Sequence, residues 1–368
     1  MPEHSHISIA YFITPHGFGH ASRAAAVMAA LEARLQNVRF ELYTTSPQWI
    51  FQDALETPFG YHPISSDLGM VQRSPLRTDP EATCQALDRL LPFKPGLLDR
   101  LADRLRATGC RLVVCDIAAL GIAVARRAGL PSVLVESFTW DWIYRGYLDQ
   151  APGLQRHITY LSGLYALADL RLQTEPLCVS QPECPKLGPI CRRPRSEPAS
   201  VRGKLGLPAR SKMVLVSMGG IPDEFTFLQH LPSTPGVFLV IPGVRKTGQV
   251  LNNVIPLPVH SDVYHPDLVQ AADALVGKAG YSTVAEAYQA GIPFGYVSRT
   301  DSPEAPPLEA FIAANLPCSA ISARAYASGR WVEALPALLA MPRTPHPQAD
   351  GAGEAAGHIM RLLALSQG

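Results

Sequence analysis

Short apolar runs alternate along this chain with longer stretches rich in alanine and leucine, and glycine-bearing turns separate the two. Residues 7–14 read as a strand, His16-Gly17-Phe18-Gly19-His20 as a turn, 21–35 as a helix and 38–44 as the next strand. A strand, a helix and a second strand in that order predict a parallel sheet. The run 112–116 is continuously apolar until it ends in Asp116, the mark of a strand buried on both faces. A helix over 117–128 follows, stopped by Gly129-Leu130-Pro131, and then a strand over 132–136. The second half repeats the alternation, with strands expected near 213–217, 237–241, 274–277 and 294–298 and a helix over 349–365.

The fold class expected is α/β, as two doubly wound Rossmann-like domains. Prolines, cysteines and scattered charges fill 176–212 and mark the joint. The boundaries expected are 1–190, 200–345, and a C-terminal helix within 346–368 that crosses back onto the first domain. A length of 368 residues with 47% apolar content supports that much core. The net charge of +1 gives no electrostatic case for nucleic acid. A basic cluster (Arg192, Arg193, Arg195, Arg202, Lys204) reads as a solvated linker, with weak contact to a membrane surface as the other option. Seven irregularly spaced cysteines with no CxxC pair speak against a zinc ribbon and for a reducing, cytoplasmic setting. The first twenty residues lack the pattern of a signal peptide, and no run of about twenty apolar residues occurs.

Open parallel sheets bind ligands beyond the carboxyl ends of their strands. Residues 14–20, Asp116 and Ser137 all fall at such ends and are expected to share a cleft. Gly17 and Gly19 permit a sharp turn close to a ligand. His16 and His20 are placed for proton transfer near neutral pH. Their i, i+4 spacing would also suit a metal, but they sit on a turn without a third ligand, so no metal is expected. His20 as a simple helix cap is the alternative. Asp116 reads either as the carboxylate that orients an imidazole or as the N-cap of the following helix.

In the second half, Ser217-Met218-Gly219-Gly220 follows a strand, and its paired glycines expose anion-binding N–H groups. The richest stretch is 276–286, closed by Pro293. There Gly280, Ser282 and Thr283 would face a diphosphate at a helix N-terminus, and Glu286 would hold ribose hydroxyls. Lys278 falls at the cleft edge. A capped helix with a surface glutamate is the plainer alternative. In the loop 299–307, Glu304 or Asp301 could accept hexose hydroxyls, or the loop is simply polar and proline-rich. In 137–144, aromatics beside an acid suit sugar stacking and packing alike: Trp142 reads as packing, while Trp140 and Asp141 fit either.

On these residues the sequence resembles GT-B glycosyltransferases, in particular the branch containing the peptidoglycan N-acetylglucosaminyl transferase. The N-terminal glycosyltransferase-like half of plant arabinokinases looks closer still. Residues 16–23 and 137–144 are similar to stretches of the latter, and 280–286 with 291–293 to the donor motif of the former. The resemblance runs over most of the chain in matching order. It implies an N-terminal acceptor domain and a C-terminal nucleotide-sugar domain facing a cleft. It places His20 as general base, Asp116 as its carboxylate partner, Glu286 as the ribose acid, and Ser282 and Thr283 at the diphosphate. The hexose position, often Gln-Gln or Asp-Gln in the family, carries Pro303-Glu304 here. The kinase half of arabinokinases is not matched, so sugar phosphorylation is not expected.

The expected activity is inverting, metal-independent transfer of a hexose or related sugar from a nucleoside diphosphate sugar, uridine-linked by preference, to an acceptor hydroxyl. The nucleotide-sugar is a co-substrate, and no permanently bound cofactor is expected. Apolar residues around 59–76 and 140–150 would line a small-molecule, glycan or lipid-linked acceptor equally well. Two rivals stand beside it. One is a nucleotide-sugar epimerase or hydrolase of the same fold, for which only Asp301, Glu304 and Glu309 offer carboxylates. The other is a non-catalytic nucleotide-sugar-binding module.

Overall fold

The computed structural model describes residues 6–74, 77–219, 225, 227–228, 231, 234–244, 253–299, 301–346 and 348–365. Gly220, of the expected glycine pair, lies outside them. Two compact units form: Met1–Gln72 with Thr78–Ile190 and Asp350–Gly368, and Arg73–Arg77 with Cys191–Ala349.

The first unit is built on a seven-stranded sheet. Its strands are β1 (Ile7–Ile13), β2 (Val38–Tyr43), β3 (Gly60–His62), and, after a short pair β4 (Gln72–Ser74) and β5 (Arg77–Thr78), β6 (Cys110–Asp116), β7 (Ser132–Glu136), β8 (Leu170–Thr174) and β9 (Lys186–Leu187). The spatial order is β3-β2-β1-β6-β7-β8-β9, and all neighbours run parallel. Strand order therefore reverses between β1 and β6, where open sheets of this kind bind ligands. The helix Gly19–Glu32 lies on this sheet through Ala21, Ala24, Ala25, Val27, Met28 and Leu31. The C-terminal helix Gly351–Leu365 packs on that helix, adding Ala355, Ala356, Ile359 and Leu363 to the same core. Burying Ile359 and Leu363 contributes about 1.5–3 kcal/mol each.

The second unit repeats the plan with six strands: β10 (Lys212–Ser217), β11 (Val237–Pro242), β12 (Val254–Leu257), β13 (Ala274–Lys278), β14 (Phe294–Val297) and β15 (Cys318–Ile321). The order β12-β11-β10-β13-β14-β15 again reverses beside the first strand, between β10 and β13. Met213 and Leu215 enter one core layer, Val214 and Val216 the other. Both faces of β10 are covered, which is why its sequence is an unbroken apolar run.

The elements match the expected alternation, with three informative differences. The first helix begins two residues earlier, at Gly19, which places His20 in its first turn. The helix expected from 117 begins at Ala119, because Ile117 is held at φ +46 while its N–H donates to the Val135 carbonyl. A β-branched residue in that region is strained. The stretch 176–212, read as a joint, contributes β9 to the edge of the first sheet and a helix, Pro198–Lys204, to the second unit. Among the described residues no helix is long and apolar enough to cross a membrane.

Candidate functional site

The first unit gathers its polar groups at the reversal between β1 and β6. The chain leaves β1 through Thr14 and turns at Gly17, whose φ of +70 suits glycine. It then enters the helix whose first turn carries His20. His20 Nδ1 lies 2.8 Å from Asp116 Oδ1, at the end of β6. Arg23, one turn on, closes the other side: Nε donates to Asp116 Oδ2 at 2.7 Å and Nη2 to Oδ1 at 2.8 Å. Arg23 Nη1 donates to Ser137 Oγ at 3.0 Å, and Ser137 in turn donates to the Thr174 carbonyl. Asp116 is 0% exposed. Burial alone would raise its pKa, but the Arg23 charge and the bonds from His20 and Arg23 prevail and hold it below the usual carboxylate range.

Neither capping alternative describes these residues. Phe18 is the N-cap of the first helix and Ala118 that of the helix after β6, and neither helix has a side-chain cap bond. With Nδ1 donating to a carboxylate, Nε2 is the imidazole nitrogen chemically able to accept a proton.

Asp67 forms a second layer that the sequence did not suggest. Its carboxylate accepts from Thr14 Oγ1, and from Trp140 Nε1 at 3.0 Å. Burial raises its pKa to about 7, against those two bonds and with Asp116 adding to the rise. The Trp140 ring lies edge-on to His16 at 5.4 Å between centroids and 6.3 Å from His20. His16 faces the Gln72 amide at 3.3 Å, so the two histidines of the turn hold different partners. Gly19 starts the helix.

Trp140 is packed, whereas Trp142, expected to pack, is only partly buried and lines a cavity. Two residues apart on a helix, they point in different directions. Asp141 lies between them; it is 7% exposed and lines the same cavity.

The second unit gathers its groups at the β10–β13 reversal. Gly219, at φ +75, follows β10, and Lys278 ends β13. The Lys278 side chain runs between Gly219 and Gly280; a Cβ on Gly219 would lie 3.9 Å from its Nζ. Desolvation first, then the charge of Arg299, pushes the Lys278 pKa down to about 7. Gly280 is the N-cap of the helix Tyr281–Ala290 and adds no side-chain cap bond, so the helix presents its positive end with Ser282 and Thr283 in its first turn. Arg299 forms an ion pair with Glu304, which precedes the helix Ala305–Asn315.

Glu286 is no surface glutamate. It is 6% exposed, with His265 Nδ1 at 3.2 Å and Arg192 Nη2 at 3.7 Å. Burial would raise its pKa, but His265 and Arg192 lower it on balance. His265 Nε2 lies 3.5 Å from Ser217 Oγ, so one line of groups joins the end of β10 to the helix. The basic cluster read as a solvated linker is therefore partly inward. Arg192 is buried against Glu286 and the Tyr264 ring, Arg195 covers the same ring, and Arg202 pairs with Asp273.

One set of potential metal ligands occurs among the described residues, Cys84, Asp88 and His157, away from both reversals. Its Asp88 Oδ1 already accepts from Arg156 and faces His157 Nε2 at 2.8 Å.

No family model matches the chain. It is 26% identical over 367 residues to the L-arabinokinase of Arabidopsis thaliana, covering 98% of this chain and 35% of that one. The chain thus spans about a third of that relative's length. It is 23% identical over 258 residues to an uncharacterized glycosyltransferase, MK0977, of Methanopyrus kandleri, covering 62% of this chain and 74% of the relative. Among solved structures, the kitacinnamycin glycotransferase superposes with a TM-score of 0.60 at 18% identity, covering 100% of this chain and 97% of its own. The glycosyltransferase VinC, in complex with dTDP, gives 0.60 at 14%, covering 98% and 99%. MurG of Acinetobacter baumannii gives 0.52 at 14%, covering 99% of each chain. The fold is GT-B.

Proposed function

We propose that the chain is an inverting glycosyltransferase whose first unit activates an acceptor hydroxyl and whose second unit holds a nucleoside diphosphate sugar. The observation that carries this reading is the fully buried Asp116, 2.8 Å from His20 Nδ1, at the strand reversal of the first sheet. His20 Nε2 takes the acceptor hydroxyl proton. The acceptor oxygen forms a bond to the anomeric carbon as the bond from that carbon to the diphosphate oxygen breaks. The diphosphate leaves with the electron pair from the opposite face of the sugar, so the anomeric configuration inverts. Asp116, kept ionised by Arg23, balances the imidazolium that forms.

In the second unit, Lys278, the Gly219 turn and the helix N-terminus at Gly280, Ser282 and Thr283 supply positive potential for the leaving diphosphate, so no metal is needed. Glu286, fixed by His265 and Arg192, is assigned to the ribose hydroxyls, and Glu304 to the hexose. A pyrimidine nucleoside, uridine by preference, is the donor class we assign; the dTDP held by VinC supports a nucleotide of that class. The seven cysteines, irregularly spaced and without a CxxC pair, support a reducing compartment.

The test is incubation with a panel of nucleoside diphosphate sugars and hydroxyl acceptors, with glycoside and free diphosphate read by mass spectrometry. Glycoside of inverted configuration is expected. Free sugar without glycoside would favour a second reading, hydrolysis of the nucleotide-sugar, to which the line Ser217–His265–Glu286 lends itself. Its 3.5 Å serine–histidine separation is longer than an activated nucleophile requires, which ranks it second.

A further inference from the structure

The cavity beside Trp142 takes no part in the proposed proton transfer or donor binding. It has a volume of about 270 Å³ and opens at the carboxyl ends of β7 and β8, within the first unit. That is just below the usual range of roughly 300–1,000 Å³ for small-molecule sites, so its occupant is about one ring in size.

The wall is polar and mostly self-satisfied. Glu136 accepts from Arg171 Nη2 at 3.0 Å and from Gln173 Nε2 at 3.2 Å. Asp141 differs. It is nine-tenths buried, Arg145 reaches only its Oδ2, at 3.5 Å, and its Oδ1 has no hydrogen-bond partner among the described residues. Oδ1 itself is closed to solvent, so the exposed tenth of the Asp141 side chain, on its remaining atoms, is what an occupant of the cavity meets. Trp142 adds a partly exposed indole to the same wall. An apolar occupant would strip water from Glu136, Asp141 and Arg145 and return no hydrogen bonds. A ring bearing several hydroxyls satisfies the acid and lays its less polar face on the indole. Ser137 also lines the cavity and is the group that Arg23 holds while it holds Asp116, so the cavity adjoins the proton-accepting site.

We infer that this cavity binds one ring of a polyhydroxylated acceptor, a saccharide rather than an apolar aglycone. Asp141 accepts hydroxyl protons from that ring and Trp142 lies under its face. The word acceptor rests on the transferase reading; the binding itself does not.

Saturation-transfer NMR on the full chain, with methyl β-D-glucopyranoside and methyl β-D-galactopyranoside as probes and 4-nitrophenol as the planar aromatic competitor, tests the proposal. The pyranosides are expected to bind, and Asp141→Asn and Trp142→Ala each to weaken that binding at least tenfold while keeping a cooperative thermal transition. Trp142→Ala, at a partly exposed position, stands in if Asp141→Asn does not fold. Absent pyranoside binding, binding untouched by both substitutions, or preference for 4-nitrophenol overturns the inference. Pyranoside binding without transfer from any donor supports the cavity and overturns the transferase reading. Transfer to 4-nitrophenol with no pyranoside binding does the reverse.

Discussion

Replacing Asp116 by asparagine keeps the shape of the side chain and removes its charge. In the wild-type protein that carboxylate faces three nitrogen groups, His20 Nδ1 and two from Arg23, with no exposure to solvent. The substitution leaves the Arg23 guanidinium, itself 5% exposed, without its counter-charge. It also turns an amide N–H toward groups that are themselves donors. Breaking a buried ion pair by removing one partner costs about 3–5 kcal/mol. For a unit of this size each kcal/mol moves the melting temperature by about 2–4 °C, so a fall of about 6–20 °C is expected.

The pH dependence follows from the depressed pKa of Asp116. Its contribution is present above the ordinary carboxylate pKa and lost as pH falls through the lower folded value. The gap between the two proteins is therefore widest near pH 7 and closes on strong acidification. Differential scanning calorimetry at several pH values reads this directly. A melting temperature within about 2 °C of wild type at pH 7, a loss of at most about 0.5–1 kcal/mol, would refute the description of Asp116 as a charge held by Arg23 and His20.

Trp140→Phe removes the indole N–H from Asp67 and costs about 1–3 kcal/mol; because the lost bond favours the ionised acid, whose pKa is about 7, the loss read by urea unfolding is larger at pH 8 than at pH 5. Gly277→Ala places a Cβ against the Ser217 carbonyl oxygen of the neighbouring strand, where backbone must shift, so a loss of about 3 kcal/mol or more is expected by calorimetry. Lys278, with a pKa near 7 in the free protein, must be protonated to meet a diphosphate. Titration calorimetry of a nucleoside diphosphate sugar at pH 8, in buffers of different ionisation enthalpy, should show uptake of close to one proton, with affinity falling as pH rises above 7. Zero uptake would remove Lys278 from the diphosphate site.

The sheet positions were legible because buried parallel strands read as unbroken apolar runs, and the ends of those runs pointed to Asp116, Ser137, Ser217 and Lys278 without any structure. His20 and Asp116 could be paired by this logic, since both fall at carboxyl ends of strands that βαβ winding sets side by side. Arg23 carried a usable signal, its i, i+3 spacing from His20, which puts both on one helix face. Asp67 carried none: it lies in an irregular loop and meets Thr14 and Trp140 across 53 and 73 residues. The inward turn of Arg192 was hidden for a similar reason, because a proline-rich segment full of charge looks solvated until Glu286 and Tyr264 are seen beneath it. Trp142 lines a cavity where packing was expected, and Trp140, which the sequence left open, is the packed one, because the composition of a short helix does not give its rotation.

The proposed transfer needs two separable sites, one that accepts a proton and one that binds the donor. Donor dissociation constant and turnover number, measured side by side for wild type, His20→Ala and Glu286→Gln, test this most directly. His20→Ala is expected to lower turnover by about 10²–10⁴ with donor affinity unchanged, and Glu286→Gln to weaken donor affinity by at least tenfold. Turnover that survives His20→Ala, or donor affinity indifferent to Glu286→Gln, would contradict it.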